Sequence, residues 1–429
     1  MDLILIVIMS ILLVGYMLFK AGDLFAPWTL TTAVWLAIVV MFQFQGDLLY
    51  PLGTQFHISL ALWLPIFCAS SLLTYYLLPA VAHPEEASRR IPETSGLLFT
   101  TLYVISMVIT PLYLYKIMQV VMMFDTADML NNIRLLAVFG DEKYGFLNYS
   151  YVLNQVLIVV ALWRYPKVPL WQLLTIVAAG MMSAFAIMEK GMLFFLFAAL
   201  MYILYQKRVI RLRSIFVSII VIVLVFFLMN LARDYTSSEG DSSESMSFLD
   251  FFAIYVLSPP AAFERISQDI STQFGSHTFQ TVYLFLNRFG GDFEVNTKLQ
   301  EFVWVPLPTN VYTVFQPFFM DFGYRGVAFF ALVYGVLSGW VYRYARNGNG
   351  FAKCVYTYAV YVLILQFYQE NLMMSLVNVI KFLFFTWIVT QQQFALRWDW
   401  GDGDGLRGWK DVDLLTKDDS DAEKKDDMF

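Results

Sequence analysis

Residues 97–123, LLFTTLYVISMVITPLYLYKIMQVVMM, form a long apolar stretch with one charged side chain, Lys116. About 20 apolar residues in a helix span the hydrocarbon core of a bilayer, so this stretch predicts a transmembrane helix. The whole chain of 429 residues is similar, with 59% hydrophobic residues, only 14% charged residues and a mean hydropathy of +0.61. Soluble globular proteins carry about 25% charged residues. The composition excludes a soluble enzyme, a disordered protein and a nucleic-acid-binding protein, and predicts an all-α polytopic membrane protein.

Eleven apolar stretches are candidate transmembrane helices. They lie near residues 2–19, 24–45, 57–78, 97–123, 148–163, 168–188, 191–206, 214–232, 322–342, 352–368 and 372–390. The predicted organisation is an N-terminal membrane bundle (1–232), one large loop (233–321), three C-terminal membrane helices (322–390) and an acidic tail (391–429). From Arg397 onward the tail holds eleven acidic and six basic residues, which leaves 23 acidic and 22 basic residues elsewhere. The net charge of −6 therefore belongs almost entirely to the tail.

The basic residues indicate an orientation, because cytoplasmic loops of membrane proteins are enriched in Lys and Arg. With the C-terminus inside, the short outer loops receive very few bases. The inner loops then receive Lys20, Arg89, Arg90, Arg164, Lys167, Lys207, Arg208, Arg211, Arg213, Arg343, Arg346 and Lys353. This orientation places the N-terminus and the segments 124–147 and 233–321 outside.

The large outer loop has several parts. TSSEGDSSES (236–245) predicts a flexible linker, and FLDFFAIYVL (248–257) is apolar enough to lie in the membrane interface. Ser258 and the prolines 259–260 predict the start of a helix. The apolar residues that follow at helical spacing predict an amphipathic helix on the outer leaflet, and they are Phe263, Ile266, Ile270 and Phe274. Three prolines predict that the first half of 302–326 is extended.

Several cations lie in segments expected on the base-poor outer side. The arginines are Arg134, Arg233, Arg265, Arg288 and Arg325. A guanidinium matches phosphate oxygens with paired donors, so these residues are candidates for binding a lipid diphosphate. Interfacial snorkelling or salt bridges within the loop are the alternatives. Lys190, beside Glu189, interrupts an apolar run and is either a phosphate ligand or part of a tight turn.

Aromatic residues crowd the later part of the loop. They are Trp304, Tyr312, Phe315, Phe318, Phe319 and Tyr324. They predict either an aromatic belt at the membrane interface or a surface on which sugar rings stack. Asn310 and Gln316 lie nearby and are suited to hydrogen-bond sugar hydroxyls. Glu370 is either a loop carboxylate or a site residue.

Cofactors and metals are not expected. The chain has two cysteines in apolar runs and three histidines, with no metal-ligand spacing. It has no Walker A motif and no glycine pattern for dinucleotides, which argues against a nucleotide-driven pump.

Three segments carry recognisable patterns, PLPTNVYTVFQPFFMDFGYRG (306–326), YVLSPPAAFE (255–264) and NIRLLAVFGDEKYG (132–145). The first resembles the late extracytoplasmic segment of bacterial oligosaccharide repeat-unit polymerases of the Wzy type, which act in O-antigen, enterobacterial common antigen and capsule synthesis. The second is similar to a Tyr/Pro/Phe segment in their large loop. The third resembles their Arg-x10-Gly motif, with Arg134 and Gly145. A large outer loop before the last few helices is also similar.

Two positions depart from the family pattern. Glu189-Lys190-Gly191 stands where many relatives have a small residue followed by Arg, and Lys is a point charge rather than a fork. Arg265 and Gly275 are ten apart, so a second Arg-x10-Gly motif does not match.

The resemblance implies a metal-independent glycosyltransferase in the bacterial inner membrane, with a periplasmic N-terminus and a cytoplasmic C-terminus. Its substrates would be undecaprenyl-diphosphate-linked oligosaccharides. Its further partners would be membrane lipid and a chain-length regulator protein. The cationic cradle for the leaving diphosphate would come from Arg134, Lys190, Arg233, Arg265 and Arg288. Substrate contacts would also come from Asn310, Tyr312, Tyr324 and Arg325.

A base for the acceptor hydroxyl would be Glu264, His277 or Asp321, in an order that the sequence leaves open. For Asp321 the alternative is a cap on a helix starting near Gly323. Three other functions remain open: a flippase for the same lipid-linked sugars, an O-antigen ligase, and a scaffold without catalysis. A transporter often buries charges near the midplane and repeats its halves, whereas the charges here lie at span ends.

Overall fold

The structure is a computed structural model, and it describes most of the chain outside the tail. The described residues are 1–18, 23–123, 132–133, 136, 145–186, 191–210, 248–267, 271–295, 300–305 and 308–391. The candidate span 214–232, the linker 236–245 and the tail from residue 392 lie outside them.

The described residues are mostly helical. The helices are α1 (Asp2–Leu18), α2 (Pro27–Phe42), α3 (Thr54–Leu77), α4 (Pro84–Arg89), α5 (Gly96–Val121), α6 (Tyr149–Arg164), α7 (Leu170–Ala186), α8 (Gly191–Gln206), α9 (Phe248–Phe263), α10 (Gln280–Arg288), α11 (Gln316–Arg346), α12 (Gly350–Ile364) and α13 (Leu376–Thr390). Short 3₁₀ helices cover Gly145–Asn148 and Leu365–Phe367. The strands β1 (Val303–Trp304) and β2 (Pro308–Thr309) pair antiparallel.

Five helical stretches are long and apolar enough to cross a membrane. They are Thr54–Leu77, Gly96–Val121, Gly145–Arg164, Gln316–Arg346 and Gly350–Phe367. Shorter apolar helices occupy the other predicted spans that fall within the described residues. The fold is thus consistent with a membrane protein, while the number of crossings stays a prediction.

Helices α3 and α11 run parallel and approach each other closely through small residues. A Cβ added to Gly335 would lie 1.9 Å from Ser70 Oγ and 2.6 Å from the carbonyl oxygen of Phe67. A Cβ on Gly339 would lie 2.4 Å from the carbonyl oxygen of Ser71. Small residues at such contacts let helix backbones approach closely. In a membrane, where lipid is as apolar as the side chains, this close packing stabilises the helix pair.

Basic side chains gather where α3, α6, α8 and α11 end. Lys207 donates to two carbonyl oxygens at the end of α6, each at 2.8 Å. Arg343 donates to the carbonyl oxygens of Leu78 and Pro79, just after α3. Lys353 Nζ donates to a carbonyl of α4 at 2.9 Å and lies over the ring of Trp163. We call this end of the bundle the basic end.

The opposite end is where α3 and α11 begin, and we call it the loop end. It holds residues 43–53, 264–267, 271–279, 308–315 and 368–375. Phe315, just before α11, stacks on Trp35 of α2 with ring centroids 5.0 Å apart and also packs on Phe56 and Phe263. This aromatic core fixes α2, α3, α9 and α11 to one another at the loop end.

The helix predicted to start at Ser258 is wrong in position. Ser258 and the two prolines lie inside α9, which ends at Phe263. Phe263 is completely buried between Phe315 and Phe319, so packing favours continuation of α9 over a break at the prolines. Beyond it the chain turns, and the carboxylate of Glu264 binds the start of α3.

Candidate functional site

His277 and Asp321 form a hydrogen-bonded pair at the loop end. The Nδ1 atom of His277 lies 2.9 Å from Asp321 Oδ1. The Asp321 side chain is completely buried, whereas the imidazole is 17% exposed. The backbone N–H of Thr278 donates to Asp321 Oδ2 at 2.6 Å, and the N–H of His277 donates to both carboxylate oxygens at 3.1 Å. A carboxylate on Nδ1 fixes the ring orientation and leaves Nε2 as the nitrogen that can take up a proton.

Asp321 therefore has a different role from the helix cap considered above. A helical segment does restart at Gly323, where a kink with φ 62° and ψ −153° joins the two segments of α11, but the Asp321 carboxylate accepts from His277 and Thr278. Asp321 instead joins α11 to the segment around His277. The same two segments are tied again by the N–H of Ser271, which donates to the carbonyl oxygen of Met320 at 2.8 Å.

Glu264 and Arg265, which are adjacent in sequence, do not pair with each other. The carboxylate of Glu264 accepts from the backbone N–H of Phe56 at 2.8 Å and of Gln55 at 3.3 Å. It thus caps the N-terminus of α3, where a negative charge also offsets the helix dipole. Arg265 is exposed, and its guanidinium carbon lies 4.1 Å from the ring centroid of Tyr50.

Arg265 and the His277–Asp321 pair lie at the same end of the bundle, because the segment before Arg265 packs on the first part of α11. Phe263, two residues before Arg265, packs on Phe319 with ring centroids 5.4 Å apart. Phe319 lies two residues before Asp321 on α11. The structure therefore brings three of the predicted site segments to the same end of the bundle.

Arg288, Arg325 and Tyr324 lie more openly. Arg288 ends α10 and is exposed; Arg325 follows the kink of α11 and is also exposed. Within the described part of the chain, neither arginine has an ion pair. Tyr324 is half-buried and packs edge-on against Phe319 at 5.1 Å.

The loop aromatics divide into buried and exposed groups. Phe315, Phe318 and Phe319 are buried in the core, so these three rings are unavailable for stacking on a sugar. Trp304, on the short hairpin, is 67% exposed. The spacing of these residues in the sequence predicts a single aromatic set, because spacing alone does not show which rings fill the core.

Tyr312 is also held inside the fold. Its hydroxyl donates to the carbonyl oxygen of Glu301 at 2.8 Å. Burial and then the negative charge of Glu301 raise the pKa of Tyr312 to about 12, so the phenol is neutral at ordinary pH. Asn310 nearby is half-buried. Of these two predicted sugar contacts, Asn310 is the more accessible.

Glu370 is 1% exposed in the segment between α12 and α13. Its carboxylate accepts from the backbone N–H groups of Leu372, Met373 and Met374 at 2.7–3.0 Å and from the hydroxyl of Tyr334. Burial raises the pKa of Glu370, and these hydrogen bonds oppose that rise. The geometry favours the loop-carboxylate alternative, because the carboxylate is bound by three N–H groups of its own segment and by the Tyr334 hydroxyl of α11.

The remaining predicted cations lie outside the described residues. They are Arg134, Lys190 and Arg233, so nothing in the structure bears on their roles. Among the described residues, no group of three or more His, Cys, Asp or Glu side chains is placed to hold a metal ion.

Three contributors to the loop end carried no signal in the sequence. Tyr50 lies in the segment between α2 and α3, and Gln55 lies in the first turn of α3 and donates to the carbonyl oxygen of Phe263 at 2.8 Å. Gln366 accepts from the indole N–H groups of Trp35 and Trp63 at 3.0 and 3.1 Å. Each acts on a partner more than 200 residues away, which no local pattern reveals.

Comparison with known proteins gives one similarity over part of the chain. A protein of Escherichia coli strain K12 described as "Putative O-antigen polymerase" is 32% identical over 130 residues. That stretch covers 29% of this chain and 32% of the relative, so this chain matches about a third of the relative's length. No family model and no solved structure matches the chain. The similarity supports the family resemblance over that part alone.

Proposed function

We propose that this protein polymerises undecaprenyl-diphosphate-linked oligosaccharide repeat units at the periplasmic face of the bacterial inner membrane. The product is a surface polysaccharide such as O-antigen or capsule. Support comes from the apolar helices, from the partial similarity to the E. coli protein and from the motifs at 132–145 and 255–326. In this proposal the loop end faces the periplasm and the basic end the cytoplasm, in accord with the enrichment of bases in cytoplasmic loops.

The observation that carries the proposal is the His277–Asp321 pair at the same end as the exposed Arg265. Glycosyl transfer needs a proton acceptor for the attacking hydroxyl and positive charge for the leaving diphosphate. Asp321 is completely buried and the Glu264 carboxylate binds the first turn of α3, which leaves the partly exposed imidazole of His277 as the candidate base. We assign it as the general base, with Asp321 as its positioning residue.

The reaction then has four bond changes at the loop end. The acceptor hydroxyl gives its proton to His277 Nε2, and its oxygen bonds to the anomeric carbon of the donor sugar. The bond from that carbon to the diphosphate oxygen breaks, and the electron pair leaves with the diphosphate. Arginine donors hold the charge that develops on the diphosphate oxygens.

Substrate contacts divide by chemistry. Arg265, Arg288 and Arg325 are the described candidates for diphosphate binding, and Arg134, Lys190 and Arg233 complete the proposed set from outside the described residues. Asn310 and Tyr324 are proposed for the sugars. Tyr312 is proposed to shape the loop through its bond to Glu301 rather than to contact sugar.

The test is deletion of the gene in its host, followed by gel analysis of the surface polysaccharide. If the deletion removes polymerisation and leaves export and ligation intact, the polysaccharide ladder on the gel should collapse to a core that carries one repeat unit. Complementation with the wild-type gene should restore the ladder, and His277→Ala should not, since a general base contributes about 10²–10⁴-fold to rate. His277→Ala must reach the membrane in wild-type amount.

Other outcomes identify other functions. Loss of every repeat unit, including the first, would point to a flippase or ligase and contradict the proposal. An unchanged ladder would contradict any role in polymerisation. A ladder of altered length distribution alone would favour a scaffold without catalysis.

A further inference from the structure

Arg265 is stacked on an aromatic ring, and among the described residues no carboxylate forms an ion pair with it. Its guanidinium carbon lies 4.1 Å from the ring centroid of Tyr50, at cation–π distance. Glu264 is adjacent in sequence, and Asp47 is in the same segment as Tyr50, yet Arg265 forms an ion pair with neither. Stacking on the face of the guanidinium leaves its N–H donors free at the edge, where a planar fork binds phosphate oxygens.

The backbone on both sides of Arg265 is fixed to the first turn of α3. The side chain of Gln55 donates to the carbonyl oxygens of Phe263 at 2.8 Å and Ile266 at 3.4 Å. Between them, the Glu264 carboxylate accepts from the N–H groups that begin α3. Gly53 makes room for this carboxylate, because a Cβ there would lie 2.1 Å from Glu264 Oε1. Residues 263–266 are therefore held in place, and only the Arg265 side chain is left to be oriented.

Tyr50 supplies that orientation at little structural cost. Its side chain is 45% exposed, so it is not part of the buried core. A long arginine side chain loses rotamer freedom when it binds a ligand, and a surface that already holds the side chain reduces that loss. The arrangement has the features of a pre-organised anion ligand.

We propose that Tyr50 is a positioning residue for Arg265 and that the segment 43–53 forms one wall of a diphosphate-binding site. Its ring holds the guanidinium with the N–H donors directed to the diphosphate headgroup of the lipid-linked substrate. The inference rests on the proposed function for the identity of the ligand. It adds a segment to which neither the sequence motifs nor the comparisons assign a role.

The test measures binding of undecaprenyl diphosphate to the purified full chain in detergent, with undecaprenol as the probe that lacks phosphate. Tyr50→Leu should weaken diphosphate binding about fivefold to tenfold, within the range of a cation–π contact. Tyr50→Phe keeps the ring and should bind within about twofold of wild type. Binding of undecaprenol should be the same in all variants.

A double-mutant cycle separates positioning from a general effect. In an Arg265→Ala background, Tyr50→Leu should cause no further loss, because the ring then has no guanidinium to hold. An equal loss in both backgrounds, or an equal loss of undecaprenol binding, would overturn the inference. Thermal unfolding of each variant checks that it is folded. Tyr50→Trp keeps an aromatic face and is a second test of the same contact. It should bind undecaprenyl diphosphate at least as tightly as Tyr50→Phe.

The outcomes also separate this inference from the proposed function. If Arg265→Ala loses binding and Tyr50→Leu does not, the role of Tyr50 is wrong and the diphosphate role of Arg265 stands. If Arg265→Ala binds like wild type, the proposed diphosphate site itself is wrong. Inorganic pyrophosphate should bind more weakly than undecaprenyl diphosphate, and equal or tighter binding would contradict a lipid-linked ligand.

Discussion

Gly53→Ala should destabilise the protein by displacing the Glu264 carboxylate. The added Cβ would lie 2.1 Å from Glu264 Oε1 and 2.4 Å from its carboxylate carbon, well inside contact distance. The backbone at Gly53, with φ −103° and ψ −167°, suits alanine, so the effect comes from this clash alone. The carboxylate must move away, and it then loses its bonds to the N–H groups of Phe56 and Gln55.

The size of the effect follows from those two hydrogen bonds. A hydrogen bond to a charged group contributes about 1.5–3 kcal/mol. The bond to Phe56, at 2.8 Å, should count nearly in full, and the bond to Gln55, at 3.3 Å, should count for less. We expect a loss of about 2–3 kcal/mol in the free energy of unfolding. Glu264→Ala should cost a similar amount, because it removes the same two bonds.

The assay is thermal unfolding of purified variants in detergent, monitored by tryptophan fluorescence. Gly15→Ala in α1 is the matched control, since its Cβ would meet nothing within 4 Å. The control should unfold at or slightly above the wild-type temperature, because alanine is the better helix former. Gly53→Ala should unfold at a clearly lower temperature.

The decisive comparison uses the Glu264→Ala background. In that background the carboxylate is absent and the added Cβ meets no clash. Gly53→Ala should therefore lower the free energy of unfolding by less than about 0.5 kcal/mol. If Gly53→Ala destabilises the protein equally with and without Glu264, the effect does not come from the Glu264 carboxylate. The proposed role of its hydrogen bonds to the first turn of α3 is then wrong.

Three further outcomes are expected. Asp321→Asn should reduce polymer formation about 10²-fold or more, because His277 loses the carboxylate that orients it; near wild-type ladders on a polysaccharide gel would contradict this. Gln366→Leu should lower the free energy of unfolding by about 3 kcal/mol, since two buried indole N–H groups lose their acceptor; an unchanged unfolding temperature would show that they find another. Tyr312→Phe should keep polymer formation and lose only a bond to the carbonyl of Glu301; a collapsed ladder would instead assign the hydroxyl to substrate.

The helices were largely predictable from the sequence. Long apolar runs identify helices because the backbone in lipid must satisfy its own hydrogen bonds. The clearest error lies at 258–260, where two prolines predict a helix start and the structure continues α9 through them. Burial of Phe263 between two rings of the aromatic core outweighs the local preference of the prolines.

The sequence proposes residue types for the candidate site but does not predict their arrangement. The sequence proposed His277, Asp321 and Glu264 as equal candidates, because all three are ionisable and lie in one loop. Their difference arises from partners far along the chain: Glu264 meets α3, 208 residues earlier, and Asp321 meets the N–H of His277, 44 residues earlier. Tyr50 was missed for the same reason, since its partner Arg265 lies on a distant segment.

Polymer formation by the purified protein is the most direct test of the proposed function. Lipid-linked repeat units extracted from the host's deletion strain would be mixed with the wild-type chain in lipid vesicles, and the products separated by gel and mass. The proposed function predicts chains of two or more repeat units with release of undecaprenyl diphosphate, and none with His277→Ala. Single units left unchanged by active, folded wild-type protein would contradict it.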